Sequence, residues 1–466
     1  MTPNECQDLA YPALRPVSRY RICEINLLPP EILTEIFIRC LPSGSVRPRY
    51  RDAPLLLCRV CKHWNMVATD IPFLWAAIAI RFDLDEEHHG EQANPIRTWL
   101  SLSRDYPLDI SVIIQWEEWV ERKRRRLFID TFKLLVSVFS RWRTVEITLP
   151  NCISSSYCQF PPGGAPLLES AHIHVTSGSS AGSSDPFACA WICKGSDKLR
   201  SFAWQMRSSP IPPIINESNL AMLHDLHLEC SLSQSQCLQL LERCPLLQTC
   251  HFDNVMQSSW DDIFPPQPLI YSSLHSFRVD AQSSVSEILK SLTLPSLKSL
   301  VVSLAINAGE AQDFQLSELH PLISRSKPPL EKLTLDNFPI SELELVQCLV
   351  MTSSLVALEL NDDNRRSPLL TDIIIVALSG GTRDREGAFI CPKLEVLKLT
   401  GNVSSTDRNF SKMVQLRWER AAAANQVACL QKVHVEFADE WHQEDVAVLT
   451  ELRSQGLTLR VFMRQD

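Results

Sequence analysis

The sequence predicts a mixed α/β chain, with a small three-helix module in front and a curved parallel sheet, helices on its convex side, behind it. Two patterns carry that prediction. Residues 27 to 80 place apolar side chains at helical spacing between proline stops, and a six-residue phrase, apolar-x-x-apolar-x-apolar, recurs eleven times farther on. The composition agrees: of 466 residues, 45% are hydrophobic and 21% charged, which excludes disordered and fibrous classes. With 13 glycines and neither GxGxxG nor GxxxxGKS/T, two large nucleotide-binding classes drop out. The formal charge of −9 argues against nucleic-acid binding, which needs a basic face.

Residues 1–24 read as a flexible tail. Glu5, Asp8 and several prolines leave no apolar run of signal-peptide length there. No segment approaches the apolar length of a membrane helix. The 16 cysteines are therefore expected to be reduced and largely buried, in a cytoplasmic or nuclear protein. Cys58 and Cys61 form a lone C-x-x-C without a second pair at zinc-site spacing.

The module over 25–80 begins with Pro30, suited to a first helical turn. Ile32, Leu33, Ile36 and Phe37 follow on one face, and Leu41-Pro42 with Ser43-Gly44-Ser45 stops that helix. A second helix is expected from near Pro54, burying Leu56, Leu57, Val60, Cys61, Trp64, Val67 and Ala68 on one stripe. Asp70 is placed to cap a third, short helix carrying Phe73, Leu74 and Trp75. A module of this size is marginal alone and gains from docking.

Three stretches in order, Leu28-Pro29-Pro30-Glu31-Ile32-Leu33-Thr34-Glu35-Ile36-Phe37, then Leu57 to Trp64, then Pro72-Phe73-Leu74-Trp75, resemble an F-box of the fungal type. The connector Leu41 to Ala53 is longer and richer in arginine than in compact F-boxes. The resemblance implies binding to the Skp-type adaptor of a cullin–RING ubiquitin ligase. Leu28, Pro29, Ile32, Leu33, Ile36 and Phe37 would make the contact, with Val60 and Trp64 from the second segment. The competing reading is that these side chains fill the module's own core. Tryptophans in small helical modules usually pack inward, which favours the core for Trp64 and Trp75. Leu28-Pro29, ahead of the helix, has little core to fill.

Between module and repeats, 81–130 reads as a linker or cap with a helix near Trp99-Leu100 and a strand at Pro107 to Val112. Arg122-Lys123-Arg124-Arg125-Arg126 suits a nuclear-import signal or, as most charge runs do, a solvated helix face or loop. Asp85 to His89 reads as an exposed loop.

The phrase begins at Trp142, Leu168, Leu199, Leu223, Leu247, Leu274, Leu297, Leu330, Leu355, Leu394 and Leu430. Most gaps lie near the 20–29 residues of leucine-rich repeats, and the series over 131–466 resembles an irregular solenoid of that kind. Helical patterns fill the intervals at Cys237–Cys244, Val285–Leu292 and Leu343–Met351. Each strand–helix unit has an apolar side that only a neighbour covers, so the units must stack. Thr176–Ser184, Asn361–Thr371 and Gly401–Asn409 are expected to be inserted loops.

In such a stack the third, fifth and seventh residues of each phrase face out of the concave side. They supply Asp225, His227 and Glu229, then His251 and Asp253, Arg278 and Asp280, Thr334 and Asp336, Glu359 and Asn361. The middle of the concavity is expected to be acidic and to take a basic or hydrogen-bonding segment of a target protein. Ordinary solvent-facing polar positions are the alternative. No HExxH, GxSxG or kinase-like series appears, so no enzyme, metal or cofactor is expected. His172 and His174 are the remaining candidates for an unrecognised hydrolase. The sequence thus reads as a non-catalytic substrate receptor of an SCF-type ligase, promoting degradation of its target, with no nucleic acid or membrane partner. An F-box solenoid acting as a scaffold outside any ligase is the alternative.

Overall fold

The structure, a computed structural model, describes residues 28–42, 44, 46–82, 93–114, 122–150, 160–161, 163–176, 192–193, 195–207, 220–257, 262–305, 317–362, 371–380, 389–424, 428–437 and 442–463. Residues 1–24, Asp85 to His89, nearly all of Thr176–Ser184 and most of Asn361–Thr371 lie outside them.

Pro30 opens helix α1 (Pro30–Arg39), and Leu33 and Phe37 are its buried residues. The expected second helix is two pieces, a 3₁₀ turn at Leu57–Arg59 and α2 (Lys62–Asp70). Cys61 between them is extended and breaks the continuity, and its Sγ caps α2 by accepting from the Trp64 N–H at 3.4 Å. Because the face changes at that break, Leu56 (45% exposed) and Val60 (55%) leave the expected apolar stripe and reach solvent. Asp70 caps nothing: it ends α2 and pairs with Arg104 at 2.6 Å, and a 3₁₀ turn, Pro72–Trp75, replaces the third helix.

Trp75 then leads into a sheet of fourteen parallel strands whose spatial order follows the chain. They are β1 (Ala77–Phe82), β2 (Leu108–Ile114), β3 (Trp142–Pro150), β4 (Ser170–Thr176), β5 (Ser201–Gln205), β6 (Asp225–Leu232) and β7 (Thr249–Val255). The series continues with β8 (Ser276–Ala281), β9 (Ser299–Leu304), β10 (Lys332–Asp336), β11 (Ala357–Asp362), β12 (Val396–Val403), β13 (Lys432–Phe437) and β14 (Thr458–Met463). All eleven phrases fall on consecutive strands, β3 to β13. The sheet begins before residue 131, so 81–130 is part of it rather than a separate linker, contributing β2 and the helix Ala93–Leu102. The basic run at 122–126 opens the helix Arg122–Val136.

Two features repeat at each corner. The leading leucines of the phrases from Leu168 to Leu430 are at most 1% exposed. Beside them, one carbonyl accepts two N–H groups of the next unit: Glu169 from Arg200 and Ser201, Arg200 from His224 and Asp225, His224 from Gln248 and Thr249, and so on to Glu395. Helices Gln234–Arg243, Ser286–Lys290, Leu319–Ser326 and Glu342–Met351 fill intervals, the first capped by a Ser233–Gln236 capping box. Their Leu241, Ile288, Leu322 and Leu345 join the strand leucines in one core.

The front module shares that core. Trp75, 1% exposed, donates its Nε1–H to the Ala68 carbonyl at 2.9 Å and packs edge-on against Trp99. The connector docks as well: Val46 is buried, and its carbonyl accepts from the Ala79 N–H of the edge strand β1 at 2.7 Å.

The stretch Gly401–Asn409 is not simply a loop. β12 continues through Val403, across a register shift against β13, and a helix starts at Asn409. Gly401 has φ +93°, and a Cβ there would stand 2.5 Å from the Asp362 carbonyl carbon and oxygen. Gly401→Ala is therefore expected to lower stability by about 2–3 kcal/mol in urea denaturation, since both strain and backbone contact oppose it.

Candidate binding faces

Strand alternation leaves one face of the sheet polar: in β6 the leucines at 226 and 228 are buried, while Asp225, His227 and Glu229 stand out. The parallel register sorts the outward residues into rows. Thr144, Ser170, Ser201, Asp225, Thr249, Ser276 and Ser299 lie side by side. The second row runs Glu146, His172, Ala203, His227, His251, Arg278 and Val301. The third holds Gln205, Glu229, Asp253, Asp280, Ser303 and Asp336. Ala203 leaves a gap in the histidine row, and a depression of about 600 Å³ opens there, lined by His172, His174, Ser201, Asp225, His227 and His251 among others.

His227, His251, Asp253, Arg278 and Asp280 come together. The imidazoles of His227 and His251 stack with centroids 4.1 Å apart, and His251 Nε2 lies 3.1 Å from Asp280 Oδ2 and 3.9 Å from Asp253 Oδ2. Arg278 Nε donates to the same Asp280 oxygen at 2.8 Å. Asp336 and Glu359 stand apart as a second group, where Asn361 donates to Asp336 at 2.7 Å and Lys332 pairs with Glu359 at 2.9 Å. β9, with Ser299, Val301 and Ser303 outward, carries no charge between the groups.

These pairings offset part of the acidic charge expected of this face. Glu229 takes Arg207 at 2.5 Å, and Asp225 accepts from the Thr249 hydroxyl. Burial opposes ionisation of Asp280, but hydrogen bonds from His251 and Arg278 outweigh it and hold its carboxyl below the usual range. Asp253, partly buried and beside Asp280, is raised. Reading the sequence missed Arg207, which lies beyond the phrase, and the gap at Ala203, which only cross-strand register makes visible.

On the front module, the residues expected to meet an adaptor divide. Leu33 and Phe37 are fully buried core; Leu28, Ile36 and Trp64 are half-buried, and Trp64 packs on Phe37 with centroids 4.9 Å apart. Pro29, Ile32 (48% exposed) and Val60 (55%) reach solvent, as do Leu56 and Met66. Compared with known families, residues 25–81 match the family model described as F-box-like. The chain carries an F-box-like domain. Domains of this class generally bind Skp-type adaptors. No curated protein matches the chain. Among the described residues no helix is long and apolar enough to cross a membrane.

Burial first, then the neighbouring His251, lowers the His227 pKa to about 4 from 6.5. Between those values the unfolded chain binds the proton and the folded chain does not, so stability falls as pH drops from 6.5 toward 4. Thermal melts of wild type and His227→Gln across that window are expected to show a shallower acid loss in the variant.

Proposed function

We propose that the chain is the substrate-recognition subunit of an SCF-type cullin–RING ubiquitin ligase. The observation that carries this reading is the F-box-like match at residues 25–81. In it the F-box-like domain holds the Skp-type adaptor, the adaptor brings the cullin, and the sheet holds a target. The exposed apolar residues Pro29, Ile32 and Val60 support the first part, because Ile32 and Val60 leave about half of their surface open to solvent, at 48% and 55%.

The sheet is read as an irregular leucine-rich-repeat solenoid. Strands sit about 4.8 Å apart while helices are about 10 Å wide. Units with helices on one side therefore curve, and the polar face becomes concave. A target lying along that face exchanges the cross-strand pairs for its own groups. The chain catalyses nothing itself; it raises the concentration of the target beside a ubiquitin-charged enzyme, a proximity effect. Its place of work is the cytoplasm, the nucleus or both.

Two measurements test this. Ile32→Asp with Val60→Asp is expected to reduce capture of a Skp-type adaptor at least about tenfold without changing the melting temperature, because both positions are solvent-facing. Wild type failing to capture the adaptor would replace the ligase reading with that of a scaffold. Asp225→Lys, on the rim of the depression, is expected to remove target proteins from the set captured by the full chain while leaving the adaptor. An unchanged set would move the target site to the loops.

A further inference from the structure

We propose that His227, His251 and Asp253 form a site for a divalent transition ion of the Zn²⁺ class on the open face of the sheet. One ligand atom from each lies within 4.8 Å of the other two. The placement follows from the fold: His227 and His251 share a register position on neighbouring parallel strands, and Asp253, two residues beyond His251, emerges on the same face.

Two members of the triad have bonding capacity left over. His227 Nε2 is buried and has no hydrogen-bond partner among the described residues. Asp253 accepts no hydrogen bond there either, its nearest partner being His251 at 3.9 Å. The adjacent carboxylates are engaged, Glu229 by Arg207 and Asp280 by Arg278 through Oδ2, while Asp280 Oδ1 is buried without a hydrogen-bond partner among the described residues. When His251 Nε2 turns from Asp280 to an ion, Asp280 keeps the Arg278 bond, so ligation leaves no carboxylate stranded.

Two imidazole nitrogens and one carboxylate oxygen suit Zn²⁺ and its neighbours, whereas Mg²⁺ and Ca²⁺ favour oxygen-only sets. A tetrahedral ion at roughly 2.1 Å from its donors needs them about 3.4 Å apart. Because each nitrogen lone pair lies in its ring plane, ligation requires the two near-parallel rings to unstack and swing toward the ion. Three protein ligands leave one position open. On the reading given under Proposed function, a histidine, cysteine or carboxylate of the target takes that position. Ion binding itself does not depend on that reading.

The full-length protein, stripped with a chelator and exchanged into chelator-free buffer, is titrated with Zn²⁺ by calorimetry and with Co²⁺ by visible absorption. One equivalent at micromolar affinity or tighter is expected, with Co²⁺ ligand-field bands and no thiolate charge-transfer band. His227→Gln and Asp253→Asn should each weaken it at least about tenfold, and His172→Gln, across the depression, should leave it unchanged. Circular dichroism checks that each variant folds. No stoichiometric binding by wild type, a thiolate band, affinity unchanged in either triad variant, or equal loss in His172→Gln overturns the assignment. Adaptor capture, measured on the same protein, reports separately on the ligase reading.

Discussion

The architecture rests on the corner carbonyl that accepts two N–H groups of the next unit, with a buried leucine beside it. From Glu169 to Glu395 that pattern repeats without interruption. It fixes where each strand from β5 to β13 begins and therefore which outward residues stand side by side. Parallel strands cannot be joined by tight hairpins, so each must be followed by a return segment. The length of that return is free so long as the leucine and the carbonyl come back to their places. Gaps that range widely along the sequence are thus compatible with one continuous sheet.

The repeating phrase also attaches the F-box-like domain. Trp75-Ala76-Ala77-Ile78-Ala79-Ile80 has the repeating phrase, led by tryptophan as in Trp142-Arg143-Thr144-Val145-Glu146-Ile147. Trp75 Nε1 donates to a carbonyl seven residues earlier, Ala68, and Trp142 Nε1 does the same to Leu135. A 3₁₀ turn precedes both strands. The last part of the F-box-like domain therefore doubles as the first unit of the sheet. Val46, covering the edge of β1, keeps its unpaired backbone from recruiting another strand. Under the proposed function, a fused core fixes the direction in which the open face points relative to the adaptor.

Charge on the open face is partly matched, Glu229 by Arg207, Asp280 by Arg278 and Glu359 by Lys332. Pairs as exposed as Arg207 with Glu229 contribute little to stability, because water and salt screen them. Their effect is to hold side chains in register and lower the net field that a partner meets. What remains unmatched, at His227, Asp253 and one oxygen of Asp280, marks the middle of the face more sharply than its overall charge does.

The sequence by itself determined the two-part α/β plan, the front module and twelve of the fourteen strands: eleven because buried leucines at fixed spacing are a local property of the chain, and β2 from the pattern at Pro107 to Val112. β14 escaped because its leading position is Gly456 rather than an apolar residue, and β1 because Trp75 had already been assigned to the helical module. The outward set Asp225, His227, Glu229, His251, Asp253, Arg278 and Asp280 was legible too, since alternation along a strand depends only on neighbouring residues. Tertiary structure alone decided which of them meet. Register across strands stacks His227 on His251, brings Asp280 to His251 and brings in Arg207 from outside the phrase. It also decided that Leu33 and Phe37 turn inward while Ile32 turns out, and the break at Cys61 leaves Val60 exposed in a way one continuous helix would not encode.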